Sequence, residues 1–229
     1  MIVENIESIK KKIASAARKA GRNPDDIIML AVTKRQSIDK IEEAVNSGID
    51  YIGENQFQEA YVKIPLIRDK IKEFHFIGHL QTNKISKLIP LGPALIHSVD
   101  SYHLALKLDE YLEKKELTQN ILIQVNTSGE KSKFGVEPDD AEDLIRKIDK
   151  LESLRIKGLM TIGMLTNDWE KIRTCFRILR QFKENVKIPA LERTDLKYLS
   201  MGMSNDFEIA IEEGANIIRI GTAIFGERY

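Results

Sequence analysis

Lys34 stands where an amine can do chemistry. It follows the apolar run 27–32 and Thr33 ("IIMLAVTK"), and Ser37 then opens an apolar-periodic segment, so it marks the passage from a buried strand to a helix. A lysine there either carries an ordinary strand-end charge to water or offers a nucleophile to a pocket, where a carbonyl partner would give a Schiff base. Arg219, inside the apolar run "NIIRIG", is a second cation in an unusual place. A bare guanidinium is too costly to bury, so it either pairs with a carboxylate or meets a bound group. A desolvated lysine near such a cation has a lowered pKa and is available as the neutral amine. "SMGMS" (200–204) and "IGTAIFG" (220–226) join glycine to hydroxyl side chains. Glycine lets backbone N–H groups approach an anion, and Ser204 is expected at a helix start, where the dipole favours one. Plain tight turns have the same composition. With the anion reading, amine and anchor suit an aldehyde that carries a phosphate.

The elements that must hold these groups are legible as alternating patterns. Short apolar, β-branched runs occur at 27–33, 51–53, 74–78, 94–99, 121–126, 155–162, 196–201 and 216–221. Amphipathic segments separate them, with cap residues at Ser37, Ser101, Ser204 and the Pro138-Asp139-Asp140 entry, and stops at Gly48 and Gly214. Eight strands alternating with helices predict a parallel sheet, and the count and length predict a single-domain α/β fold over 1–229, a (β/α)₈ TIM barrel. An open doubly wound sheet is the alternative. Ile6, Ile9, Ile13 and Ala17 give the N-terminus a helical stripe ended by Gly21 and Pro24, an extra helix expected to plug the base of the barrel. Active groups in such barrels lie at the C-terminal strand ends, and the loops after the last two strands often bind phosphate.

Composition narrows the partners. Lysine plus arginine equal aspartate plus glutamate at 35 each, so no basic footprint for nucleic acid exists. No apolar run approaches the roughly 20 residues of a membrane span, and charges interrupt the N-terminus too often for a signal peptide. Cys175 is the sole cysteine, in "WEKIRTCFRILRQF", where Trp169, Ile172, Phe176 and Leu179 mark one face; a packing role and a cytoplasmic location are expected.

Other motifs carry less. His75 and His79 lie on a strand-to-loop segment and do not share a face, so no metal site is expected. "NTSGEKSKFG" (126–135) lacks the P-loop order. Lys131 and Lys133 are read as solvated charges, with Lys133 as an alternative amine, and Met160 as a core residue. His79 is the nearest in-sequence candidate for a base, though a loop histidine beside glycine more often only hydrogen-bonds.

"AVTK", "GENQ" (53–56), "FHFIGHLQTNK" (74–84), "LSMGMSNDFEIAI" (199–211) and "IRIGTAIFGER" (218–228) resemble, in order, the pyridoxal phosphate homeostasis protein family. That resemblance implies a barrel like the N-terminal domain of alanine racemase. It implies pyridoxal 5′-phosphate as a Schiff base on Lys34. Ser200, Met201, Ser204, Gly221 and Thr222 would hold the phosphate through backbone N–H groups and hydroxyls, with Arg219 at the pyridine nitrogen and Asn55 along the ring. Racemases of this fold carry a second domain with a tyrosine base; none is expected beyond Tyr229. A monomeric carrier in cofactor homeostasis, with transient contacts to cofactor-requiring apoenzymes, is therefore expected. A slow amino-acid racemase and a cofactor-free Schiff-base aldolase are the competing functions.

Overall fold

The computed structural model describes residues 1–130, 132–186 and 191–226; the expectations on Lys131 and Tyr229 lie outside them. The chain runs Ile2–Lys19 (α1), Ile28–Val32 (β1), Ile38–Asn46 (α2), Tyr51–Glu54 (β2), Phe57–Ile67 (α3), Glu73–Phe76 (β3), Ile85–Leu88 (α4) and Leu95–Val99 (β4). It continues through Tyr102–Glu113 (α5), Gln119–Gln124 (β5), Pro138–Ile148 (α6), Leu154–Met160 (β6), Trp169–Asn185 (α7), Thr194–Met203 (β7), Phe207–Glu212 (α8), Ile217–Ile220 (β8) and Thr222–Phe225 (α9). All eight strands are parallel and close on themselves in sequence order, with β1 paired to β8 so that Leu30 lies opposite Arg219. The barrel reading holds and the open sheet falls. No helix among the described residues is long and apolar enough to cross a membrane.

Strand alternation builds two cores. Leu30, Val32, Ile77, Leu95, Leu122, Met160 and Ile217 fill the interior of the barrel. Their neighbours Ala31, Phe76, Ile96, Ile121, Leu159, Met201, Ile218 and Ile220 face the helices. Ser37 and Ser101 cap α2 and α5 through their side chains, and Pro138 is the first residue of α6. On α7, Cys175 and Phe176 pack inward, but Trp169 at the first turn is half exposed, so the buried stripe begins at Ile172.

Two expectations change. α1 does not plug the base. It lies along the outside of the barrel against α8, α9 and α2. Among the described residues β8 is followed only by the four-residue α9, which leaves an outer position open between α8 and α2. The stripe of α1 fills it, with Asn5 Nδ2 bonded to the Ile224 carbonyl (2.9 Å) and Arg22 Nη1 to the Ile211 and Ala215 carbonyls (2.8 and 2.7 Å). The second change concerns "SMGM", which is not a loop but the end of β7. α8 starts only at Phe207, behind Asp206, so Ser204 does not cap it. Gly202 explains how the strand turns there: φ is +91°, and a Cβ would lie 2.5 Å from that of Ala210.

Candidate functional site

Lys34 is the first residue of the turn that follows β1 and Thr33, and it is half-buried. The turn is tightened by Arg35, a non-glycine residue at φ +60°, a conformation that needs support from its surroundings. α3 supplies it. Lys63 Nζ donates to the Thr33 carbonyl (2.7 Å), to Glu54 Oε1 (3.1 Å) and to Glu59, while Glu59 accepts the Arg35 N–H. Thr33 Oγ1 donates to the same Glu54 oxygen at 2.6 Å. The backbone on both sides of Lys34 is thus tied to one buried ionic cluster.

The electrostatics of that cluster divide between its acids. Burial pushes the Glu54 carboxyl up, against the bonds from Thr33 and Lys63, and its second oxygen is buried with no hydrogen-bond partner. Burial also works to raise Glu59, but the Lys63 and Arg35 hydrogen bonds outweigh it and hold that carboxyl below its usual range. None of Glu54, Glu59 and Lys63 was singled out from sequence. Glu54 sits within "GENQ", and a carboxylate ending an apolar strand was the available signal.

Asn55 follows directly, with its Oδ1 buried and unpartnered. Its backbone is pressed by Gly78, where a Cβ would fall 1.7 Å from the Asn55 carbonyl oxygen, so only glycine permits this approach. A small cavity of about 140 Å³ opens beside Asn55, lined also by Phe57, Phe76, His79 and Lys84.

β8 closes the ring next to β1, and Gly221 stands at the seam, its Cβ position 3.5 Å from the Val32 carbonyl. Here the hydroxyl of Ser204 accepts the N–H groups of Gly221 and Ala223, each at 3.2 Å. Thr222 is exposed between them. Two amides at the start of α9 therefore converge on one oxygen. Ser204, Gly221 and Thr222 come together as expected, though with Ser204 serving α9 rather than α8.

Ser200 and Met201 are placed differently from the other expected phosphate ligands. Both lie within β7, and alternation turns one inward and one outward. The Ser200 hydroxyl is fully buried between His97 Nδ1 (2.9 Å) and Arg219 Nη1 (2.7 Å). The Met201 side chain packs among the outer helices. Neither side chain is available to the Gly221–Ala223 turn.

Arg219 points into the barrel, 5% exposed. No carboxylate lies within ion-pair distance among the described residues. Instead Nη1 donates to Ser200 and Nη2 to the Thr161 carbonyl at 2.8 Å. Burial pulls the guanidinium down to about 10 against the charge of Asp206, so at neutral pH it keeps its proton. Around the rim His79 stacks on Phe134, centroids 4.0 Å apart. Lys133 is half-buried, donating to Glu130 Oε1 (3.0 Å) and the Gly163 carbonyl (2.9 Å), and so ties two loops instead of floating in solvent. Met160 is interior core. His75 meets not His79 but His97, at 3.0 Å.

The family model described as "Alanine racemase, N-terminal domain" matches residues 4–229. A pyridoxal phosphate homeostasis protein from Aquifex aeolicus is 39% identical over 225 residues, covering 98% of this chain and 97% of its own length. The protein of that name from Escherichia coli K12 is 35% identical over 230 residues, covering 99% and 97%. PipY of Synechococcus elongatus, solved with PLP bound, has a TM-score of 0.83 at 30% identity, covering 99% of this chain and 100% of PipY. Alanine racemase of Corynebacterium glutamicum has a TM-score of 0.70 at 15% identity, covering 97% of this chain and 62% of the racemase, a likeness of fold.

Proposed function

The chain belongs to the pyridoxal phosphate homeostasis protein family, and we propose that it binds pyridoxal 5′-phosphate at the C-terminal mouth, as a Schiff base on Lys34. The observation that carries this reading is the pair of amides, Gly221 and Ala223, converging on the Ser204 hydroxyl beside β1, the strand whose following turn holds Lys34. The remaining groups fit the same ligand. Asn55 offers a buried carbonyl oxygen that lacks a donor, and Arg219 offers a fixed cation inside the barrel. Ser204, Gly221 and Thr222 would hold the phosphate, Asn55 would line the ring, and Arg219 would face its nitrogen. Ser200 and Met201 would reach the phosphate only through their backbone N–H groups, with the Ser200 hydroxyl turned to Arg219 and the Met201 side chain to packing.

Bound pyridoxal phosphate supplies an aldehyde for amines and a ring that draws electrons best when its nitrogen is protonated. Arg219 only donates, and with its proton retained at neutral pH it opposes a second proton on a neighbouring nitrogen. That supports a cytoplasmic carrier or regulator of the cofactor pool, monomeric and in passing contact with apoenzymes, without efficient turnover.

The test is an absorbance spectrum of the purified protein, then borohydride reduction and peptide mass mapping. A visible band, with the reduced cofactor mass on the peptide containing Lys34 and none in Lys34→Ala, is expected. No band and no mass gain after adding pyridoxal phosphate would overturn the reading. Racemisation of alanine or serine abolished by Lys34→Ala would replace the carrier with an enzyme.

A further inference from the structure

A column of polar groups crosses the apolar interior of the barrel beneath Arg219. Arg219 Nη1 donates to Ser200 Oγ at 2.7 Å, and Ser200 Oγ lies 2.9 Å from His97 Nδ1. His97 Nε2 lies 3.0 Å from His75 Nδ1, and His75 Nε2 lies 2.9 Å from Glu73 Oε2. Ser200, His97 and His75 are at most 1% exposed. Glu73, the first residue of β3, is 39% exposed at its side chain, on the opposite face of the barrel from Lys34. The column joins β8, β7, β4 and β3.

Its polarity is fixed from both ends. A guanidinium can only donate, so Ser200 accepts from Arg219, and the Glu73 carboxylate can only accept, so His75 donates to it from Nε2. With His75 neutral its Nδ1 accepts, so His97 carries its hydrogen on Nε2 and the Ser200 hydrogen goes to His97 Nδ1. With both imidazoles neutral the reverse order would need a protonated Glu73, whereas the hydrogen bond from His75, with the charges of Lys72 and Arg68, holds that carboxyl below its usual range. With both imidazoles neutral every site on the column is satisfied. A proton added to His75 turns the column round: His75 donates from both nitrogens, His97 takes its hydrogen on Nδ1, and Ser200 accepts from His97 as well as from Arg219, so its own hydrogen loses its acceptor on the column.

We propose that Ser200, His97, His75 and Glu73 are positioning residues that hold the Arg219 guanidinium at the ring end of the cofactor pocket, and that protonating His75 from the Glu73 side reverses the column at Ser200 and weakens cofactor binding. The cofactor half of the proposal rests on the function argued above; the tautomers of the column do not. His97 faces His75 and Arg219, and burial, then those two charges, keeps it well below the ordinary imidazole value. His75 faces Glu73, His97 and the edge of the Tyr51 ring, over which Lys72 lies. Arg219 faces Ser200, the Thr161 carbonyl and the charge of Asp206.

The first measurement is ¹⁵N NMR of the imidazoles in the chain free of cofactor. Both His75 and His97 should be neutral with hydrogen on Nε2 at neutral pH; the Nδ1–H form of either would overturn the proposal. The second is the dissociation constant for pyridoxal phosphate at pH 7.5 and on the acid side of it, in wild type, His97→Gln and His97→Leu. Glutamine keeps an acceptor for Ser200 and a donor for His75 but does not titrate. It should bind near wild-type strength at pH 7.5, with the acid-side loss reduced. Leucine should weaken binding about tenfold at pH 7.5, the cost of stranding hydrogen bonds to a charged group. An unchanged constant and an unchanged pH profile in a folded His97→Leu would reduce the column to core filling. Should His97→Leu not fold, the tautomers and His97→Gln decide. Should wild type bind no pyridoxal phosphate, the proposed function fails while the NMR result still judges the column.

Discussion

Lys63 Nζ donates to the carbonyl of Thr33 at 2.7 Å, holding from α3 the residue that precedes Lys34. With Glu54 and Glu59 as its other acceptors, the ammonium spends all three protons within the protein. The proposed anchor, Lys34, is thus positioned by a second lysine whose protons all stay within the protein. Removing it would leave Glu54, fully buried, without a counter-charge. Lys63→Met is expected to cost about 3 kcal/mol in urea unfolding, in line with broken buried ion pairs. Glu54→Gln should cost less, because Lys63 keeps Glu59. Equal stability of Lys63→Met and wild type would show the cluster to be idle.

Ser204→Ala tests the amide pair. With no hydroxyl, the Gly221 and Ala223 N–H groups lose their common acceptor, at about 1 kcal/mol of stability without cofactor. Pyridoxal phosphate should bind several-fold more weakly, while the reducible link to Lys34 persists. Unchanged affinity would move the phosphate away from this turn.

Gly78→Ala should be among the most damaging single methyl additions. The new carbon would sit 1.7 Å from the Asn55 carbonyl oxygen, a backbone atom with no freedom to step aside. A loss of more than about 3 kcal/mol is expected, from overpacking with a forced backbone shift. Thermal unfolding within a degree of wild type would contradict the close approach.

Acid stability follows from His97. Its folded pKa lies below the unfolded value of about 6.5. Above about pH 6.5 neither state takes the proton and the contribution is complete. Below it the unfolded chain binds the proton first, so stability falls towards the lowered folded value, by up to about 1.4 kcal/mol per pH unit. His97→Gln should lack that part of the slope, as read by urea midpoints from pH 7.5 to 5. Superimposable slopes would mean that His97 titrates alike in both states.

Much of the architecture is set by local pattern. Continuous apolar runs separated by 3.6-period helices specify a parallel α/β sheet, and they place Lys34, Gly221 and Thr222 at or just past the C-terminal strand ends. The five ordered motifs carry the family, and Arg219 announces itself as a charge in an apolar strand. Where the N-terminal helix lies was not local information, because its stripe would suit any apolar gap; the position left open after β8 chose it. Nor could spacing tell that Ser204 serves α9 across 17 residues, or that the end of β7 turns Ser200 away from the mouth. His75 and His97 are 22 residues apart, and Glu54 and Lys63 sit on a strand and a helix, so the pairing of β3 with β4 and the packing of α3 on β2 bring each pair within hydrogen-bond reach. The sequence by itself determined the elements and the reactive types at their ends, because those depend on neighbours along the chain. The hydrogen-bond partners that orient Lys34 and Arg219 were decided by the tertiary structure, because a buried polar group takes whatever partner the closed fold delivers.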